Sequence, residues 1–210
     1  MKVLLINGSC NINGCTYTAL DEISRTLNNQ GIETEIIQLG SSPYRDCIGC
    51  NNCRKTEDSK CVFDDVVNQI IEKAKTSDGF IFGSPVYYAH PSGRLLSVMD
   101  RVFYAGGKHF AYKPAVAIVS ARRAGTTASL DAITKHFTIN NMPVVSSNYW
   151  PMVHGSQNKP EHVKQDLEGL QVMRTLGLNM AWLLKCIEAG KNLGVEKPQL
   201  EDKIWTNFIR

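Results

Sequence analysis

A chain of 210 residues is a normal size for one domain and short for two. Apolar residues make up 43% of it, enough for one sizeable core, and a charged fraction of 20% argues against disorder. The net charge of +3, with no Lys/Arg run longer than two, argues against a nucleic-acid surface, and no apolar stretch approaches the roughly 20 residues that a membrane span needs.

The predicted elements alternate along the chain. Residues 2–7 form a short apolar run that breaks at once into Asn7-Gly8-Ser9, which reads as a buried first strand rather than a signal peptide. A cytoplasmic location with reduced thiols is therefore expected, and the seven cysteines are expected to be ligands, redox groups or core residues rather than disulfides. A helix over 16–29 carries Ala19, Leu20, Ile23 and Leu27 on one face and stops at Gly31; residues 33–39 alternate as an outer strand. Asp64 reads as the N-cap of a helix with Val66, Val67, Ile70, Ile71 and Ala74 on its stripe. Strands follow at 79–83, 115–120 and 144–147, with helices at 92–103 and 126–139 between them. A last helix runs from 161 to 187 within a C-terminal helical segment, 160–210, with Cys186 as a small core residue. This alternation predicts an α/β fold: one domain over 1–210, with a parallel sheet and helices on both faces. Segment 40–63 stands out as a long loop without a period that holds four of the seven cysteines; such loops in compact domains are usually functional.

Doubly wound sheets bind ligands outside the carboxyl ends of their strands. After the first strand comes Gly8-Ser9-Cys10-Asn11-Ile12-Asn13-Gly14-Cys15-Thr16. Its backbone N–H groups at a helix start, with the hydroxyls of Ser9 and Thr16, suit a phosphate. A triphosphatase loop would need Lys where Cys15 stands, and the dinucleotide pattern GxGxxG is missing, so a terminal monophosphate such as that of FMN fits better; a plain polar turn is the alternative. After the third strand, Pro85 fixes the backbone while Val86, Tyr87 and Tyr88 offer flat surface for a planar ring, unless the tyrosines pack on the core or a subunit interface. After the fourth comes Arg122-Arg123-Ala124-Gly125, where a cation beside a flavin would favour its anionic reduced ring or meet a dinucleotide's phosphates; two solvated arginines are the other reading.

Taken together, Gly8-Ser9, Asn13-Gly14-Cys15-Thr16, Gly83-Ser84-Pro85-Val86-Tyr87 and Asp100-Arg101 resemble the NADPH-dependent FMN reductase and iron–sulfur flavoprotein group, as do Tyr149-Trp150-Pro151-Met152-Val153-His154-Gly155 and Asp166-Leu167-Glu168-Gly169. The resemblance implies a flavodoxin-like, five-stranded sheet of order 2-1-3-4-5. It implies FMN with its phosphate among Ser9, Asn11, Asn13, Cys15 and Thr16, and its ring against Pro85, Val86, Tyr87 and Tyr88. Family members usually carry Pro at position 10 and Asn at 15; both are Cys here, which raises the chance of a thiol near the cofactor. The resemblance also implies homodimers or homotetramers, with Tyr149, Trp150 and His154 as candidates for a second wall of the pocket. For Trp150 itself a core position is the favoured reading.

The cysteine loop reads Cys47-x2-Cys50-x2-Cys53-x7-Cys61. Three cysteines at successive two-residue gaps form the compact arrangement that wraps a [4Fe–4S] cubane, and Cys61 would be the fourth ligand. Zinc and metal-free redox thiols remain alternatives. The expected activity is NAD(P)H-dependent reduction of FMN, with the flavin carrying the chemistry and a flavin, quinone or similar small molecule accepting electrons. The alternative is a single-electron relay through FMN and a cluster, with a ferredoxin-like protein as partner.

Overall fold

The computed structural model describes residues 1–56, 58–156 and 159–207. Its sheet is built on β1 (Lys2–Asn7), which pairs in parallel with β2 (Glu33–Gln38) on one side and β3 (Gly79–Tyr87) on the other. β5 (Ala115–Ala121) adds to β3, and β6 (Met152–His154) to β5, giving the order β2-β1-β3-β5-β6; β4 (His90–Pro91) folds back antiparallel on the end of β3. The chain leaves β1 in one direction to make β2 and returns past it to make β3. The loops after β1 and β3 therefore diverge at the carboxyl edge and leave a crevice between them.

Period-two alternation divides the core. Leu4 and Ile6 of β1 join one apolar cluster and Val3 and Leu5 the other, all fully buried. The first cluster is covered by α3 (Val66–Thr76), α4 (Gly93–Gly106) and α5 (Thr126–Thr138), and the second by α1 (Cys15–Asn29), α6 (Pro160–Gln165) and α7 (Leu167–Asn192). A single helical turn, α2 (Asn52–Lys55), lies within the cysteine loop, and a 3₁₀ turn, Gly107–His109, follows α4.

Several expectations from sequence need correction. The fifth line of the sheet is not a strand over 144–147: Val144 makes one bridge to Ala115, and the strand proper is β6, opposite Val119–Ala121. Eight steps along the chain from Val144 to Met152 span what four steps cover on β5, so the edge strand bulges outward between them, and Trp150 lies at the surface, 56% exposed, instead of in the core. Asp65, not Asp64, caps α3, its Oδ1 accepting from the Val67 N–H at 3.0 Å. The helix expected over 161–187 is two, broken at Asp166, whose carboxylate caps α7 by accepting from the Gly169 N–H at 2.9 Å. Cys186 lies on the exposed side of α7.

Candidate functional site

Four loops meet at the carboxyl edge of the sheet. Gly8 brings the first of them close: its N–H donates to the Gly83 carbonyl at 2.8 Å, and a Cβ there would lie 2.9 Å from that oxygen and from Leu95 Cβ. The loop then turns on side chains, with Asn7 Oδ1 accepting from the Ser9 N–H and Ser9 Oγ from the Asn11 N–H, both at 3.1 Å. Gln38 on β2 supports it, donating to the Ser9 carbonyl at 2.6 Å. Gly14 enters α1 in an extended conformation; no side chain caps the helix and its first turn holds no acid. The N–H groups of the first helical turn have no intrahelical acceptors and carry the positive end of the helix dipole.

The expected phosphate residues divide by what their side chains already do. Asn13 is exposed and Asn11 half-buried, so both amides sit at the mouth of the loop. Ser9 is buried and accepts from Asn11; Thr16 is buried with its hydroxyl 2.8 Å from Ser120 Oγ. The Cys15 thiol packs under Gly155 and donates to the Lys159 carbonyl at 3.5 Å; burial first of all pushes this thiol up from its ordinary value. Cys15 and Thr16 thus offer an anion their backbone N–H groups rather than their side chains. The donor set fits a phosphate: an uncapped helix start, no nearby acid in the first turn, and a loop pressed onto β3 without room for a side chain at Gly8.

The second loop is the hairpin between β3 and β4. Ser84 braces it, donating from Oγ to the Pro85 carbonyl and accepting from the Ser92 N–H, both at 2.8 Å. Pro85 is buried, Val86 half-buried, and Tyr87 and Tyr88 exposed. Tyr88 at the tip adopts φ = +60°, a left-handed conformation uncommon for a bulky residue and frequent at ligand sites. The Tyr87 hydroxyl lies 3.1 Å from Cys10 Sγ, joining the first loop to the second. It is Cys10, rather than Cys15, that brings a thiol to the face of this crevice. The third loop reaches the hairpin through Gly125, at φ = +89°, where a Cβ would meet Val86 Cγ1 at 2.8 Å. Arg122 and Arg123 stand exposed just before it. The fourth loop follows β6: His154 Nε2 lies 3.2 Å from the Arg123 carbonyl, and the His154 N–H donates to Asp166 at 2.6 Å. Trp150 and Tyr149 pack edge to face, 5.0 Å between centroids, on an exposed shelf beside Val144.

The cysteine loop forms a second site against the C-terminal half of α4. Cys47, Cys50, Cys53 and Cys61 line one cavity of about 450 Å³, together with Arg101 and Tyr104. Among the described residues no three His, Cys, Asp or Glu side chains are already gathered at metal-binding separation. The donors suit a soft metal centre all the same: four thiols share one cavity, and burial, then the charges of Cys47, Cys50 and Cys61, push the Cys53 thiol up. Sequence reasoning missed the seat of this loop. Arg101, in sequence only half of the Asp100-Arg101 signature, is 1% exposed, on the apolar stripe of α4 with Val98 and Ala105, and forms an ion pair with Asp65 at 2.7 Å. A charge three and four residues from apolar neighbours on a buried stripe was the available signal. Asn68 holds Cys61 by its backbone, accepting from its N–H at 2.8 Å and donating to its carbonyl at 3.1 Å.

Comparison with known proteins bears on the family and the fold. The family model for NADPH-dependent FMN reductase matches residues 1–157. An iron–sulfur flavoprotein of Methanocaldococcus jannaschii is 36% identical over 198 residues, covering 90% of this chain and 100% of that protein. Among solved structures, RosB with bound 8-demethyl-8-formylriboflavin-5'-phosphate superposes with a TM-score of 0.67 at 15% identity, covering 100% of this chain and 92% of that one. A flavodoxin from the domain Archaea gives 0.58 at 14% identity, covering 88% and 99%. The two structural likenesses bear on fold alone. With the family match covering most of its length, the chain belongs to the NADPH-dependent FMN reductase family of flavodoxin-like, FMN-binding oxidoreductases.

Proposed function

We propose that this protein is an iron–sulfur flavoprotein: an oxidoreductase that takes electrons from NAD(P)H or a ferredoxin-like protein and passes them on, through FMN at the sheet edge and a [4Fe–4S] cluster at the cysteine loop, to a small-molecule acceptor. The observation that carries the reading is the grouping of Cys47, Cys50, Cys53 and Cys61 around one cavity against α4, the helix whose N-terminal end abuts Gly8 through Leu95. The identity to an iron–sulfur flavoprotein over nearly the whole chain supports it.

In this reading the chain's own residues position and insulate. The first turn of α1, with Asn11 and Asn13 at its mouth, binds the FMN phosphate. Val86, Tyr87 and Tyr88 shape the ring site, and Arg122 or Arg123 sets its electrostatics. The four cysteine sulfurs hold the cluster, whose role when bound is to accept and release single electrons. No side-chain nucleophile is needed. The exposed Tyr149–Trp150 shelf suits a contact between copies of the chain, in line with a homodimer or homotetramer in which a neighbour completes the pocket. No helix among the described residues is long and apolar enough to cross a membrane.

One observation favours a second reading. The thiols are not gathered in advance among the described residues, as they would not need to be in a two-electron NAD(P)H:FMN reductase whose cysteine loop carries no metal. Cys50→Ala separates the two. In a cluster protein, purified without oxygen, it loses the broad visible absorption of iron–sulfur charge transfer while FMN stays bound. An unchanged spectrum and iron content in the variant would leave the second reading.

A further inference from the structure

The cysteine loop is 15 residues long from Cys47 to Cys61, yet a single side chain gathers both of its ends. Arg101 has five N–H donors, and each has an acceptor. Nη1 donates to Asp65 Oδ2 at 2.7 Å and to the Arg45 carbonyl at 3.2 Å; Nη2 donates to Asp65 Oδ1 at 3.0 Å and to the Phe63 carbonyl at 3.4 Å. Nε donates to Cys61 Sγ at 3.2 Å. Arg45 precedes the first cysteine by two residues and Phe63 follows the last by two, so the guanidinium ties the neck of the loop. Two guanidinium groups lie over the Phe63 ring, Arg45 at 5.1 Å and Arg101 at 5.0 Å from its centroid. Arg94, two helical turns earlier on α4, holds the approach to the neck by donating to the Ser41 carbonyl at 3.1 Å and the Ser42 carbonyl at 3.0 Å.

We propose that Arg101 is the positioning residue of the cysteine site: it clamps the neck of the loop and aims one charge-assisted N–H at the sulfur of Cys61, so that it both presents the cysteines and raises the reduction potential of the cluster they hold. The inference rests on the cluster reading above for its second half only. A cluster held by these cysteines would take up one electron from the donor proposed above with no bond broken, its ligand sulfurs would share the added negative charge, and a positive N–H donor at one of them would favour the reduced form. Asp65 orients the donor: by occupying both Nη groups it leaves Nε, alone, turned toward the sulfur. Lysine cannot replace this geometry, because one ammonium does not reach Asp65, two carbonyls and a sulfur in a plane.

The test compares wild type with Arg101→Lys and Arg101→Gln, all purified without oxygen, by iron and FMN content, a mediated redox titration read by electron paramagnetic resonance, and the rate at which iodoacetamide labels Cys53, whose thiol bonds to the Tyr104 carbonyl rather than to Arg101, in metal-free protein. FMN content, read at the far end of α4, reports that each variant has folded. Arg101→Lys is expected to keep FMN and iron but to lower the cluster potential by a tenfold change in the reduction equilibrium, about 59 mV for one electron. Arg101→Gln is expected to lose most of its iron, and both variants should label Cys53 at least tenfold faster than wild type as the loop comes free of α4. A wild type that holds no iron even when reconstituted would end the cluster reading and leave the clamp to be judged by labelling alone. Unchanged labelling would overturn the clamp, and an unchanged potential in an iron-loaded Arg101→Lys protein would overturn the tuning role.

Discussion

The two ends of α4 show two ways of building a site. At the sheet edge, the crevice is made almost wholly by backbone: strand ends, an uncapped helix and glycines that let chains touch, with the buried hydroxyls of Thr16 and Ser120 engaged with each other and that of Ser9 with the Asn11 N–H. At the cysteine loop the backbone has little regular structure beyond α2, and order comes from side chains: Arg101, which reaches Asp65 and Cys61 across 36 and 40 residues, and Asn68, which holds Cys61 locally. A site made of strand ends is inherited with the fold. A loop held by one buried cation can be lost or changed by one substitution.

The sharpest way to break this contrast is to remove the partner of that cation. Asp65→Ala leaves the Arg101 guanidinium buried without its carboxylate and strips the cap from α3, so a loss of about 3–5 kcal/mol is expected in urea unfolding, as for a broken buried pair. A loss below about 1 kcal/mol, the range of a surface pair, would mean that the neck is solvated and that the clamp is weak.

At the other end the expected effects are smaller and structural. Gly8→Ala forces a methyl to within 2.9 Å of the Gly83 carbonyl and Leu95 Cβ, neither of which is a flexible chain end. About 2 kcal/mol of destabilisation is expected, on the scale of overpacking, with FMN binding at least tenfold weaker by flavin fluorescence. Thr16→Val keeps the shape but leaves the Ser120 hydroxyl without its 2.8 Å partner; about 1–2 kcal/mol is expected, with FMN still bound if the phosphate is held by N–H groups rather than by that hydroxyl. Weak FMN binding in Thr16→Val with unchanged stability would show instead that the hydroxyl turns to the ligand.

The smallest effect lies on β2, outside both sites. Hydrogen bonds from Lys2 and then Lys73 hold the Glu35 carboxyl below its ordinary value of 4.5. A carboxyl lowered in the folded state stabilises above its unfolded value and loses that contribution as pH falls through the folded one. After solvent screening, Glu35→Gln is expected to remove a few tenths of a kcal/mol at pH 7 and nothing once both forms are protonated, checked by thermal unfolding at pH 7 and pH 3.

How far the sequence could be read follows the same division. The inner strands and the faces of α1 and α3 were legible because burial on both sides or on one stripe leaves a local period, as in Gly79-Phe80-Ile81-Phe82-Gly83. The edge strand was misplaced because Val144-Val145 has the apolar pattern while the outward bulge puts the pairing residues at Met152–His154. The cysteine ligand candidates were legible from spacing. Their seat was not, because the partners of Arg101 lie 36 to 56 residues away and leave no periodic trace. In the first loop, residue types pointed to the phosphate cradle but not to which groups remain free: Thr16 and Cys15 look like side-chain donors in sequence and prove to be occupied by Ser120 and the Lys159 carbonyl.

The most direct measurement is the iron and FMN content of the protein purified without oxygen. One FMN and about four irons per chain are expected, as a cubane requires, with iron lost and FMN kept when Cys53 is changed to Ser. FMN with no iron, even after reconstitution with iron and sulfide, would contradict the cluster reading and return the cysteine loop to a metal-free role.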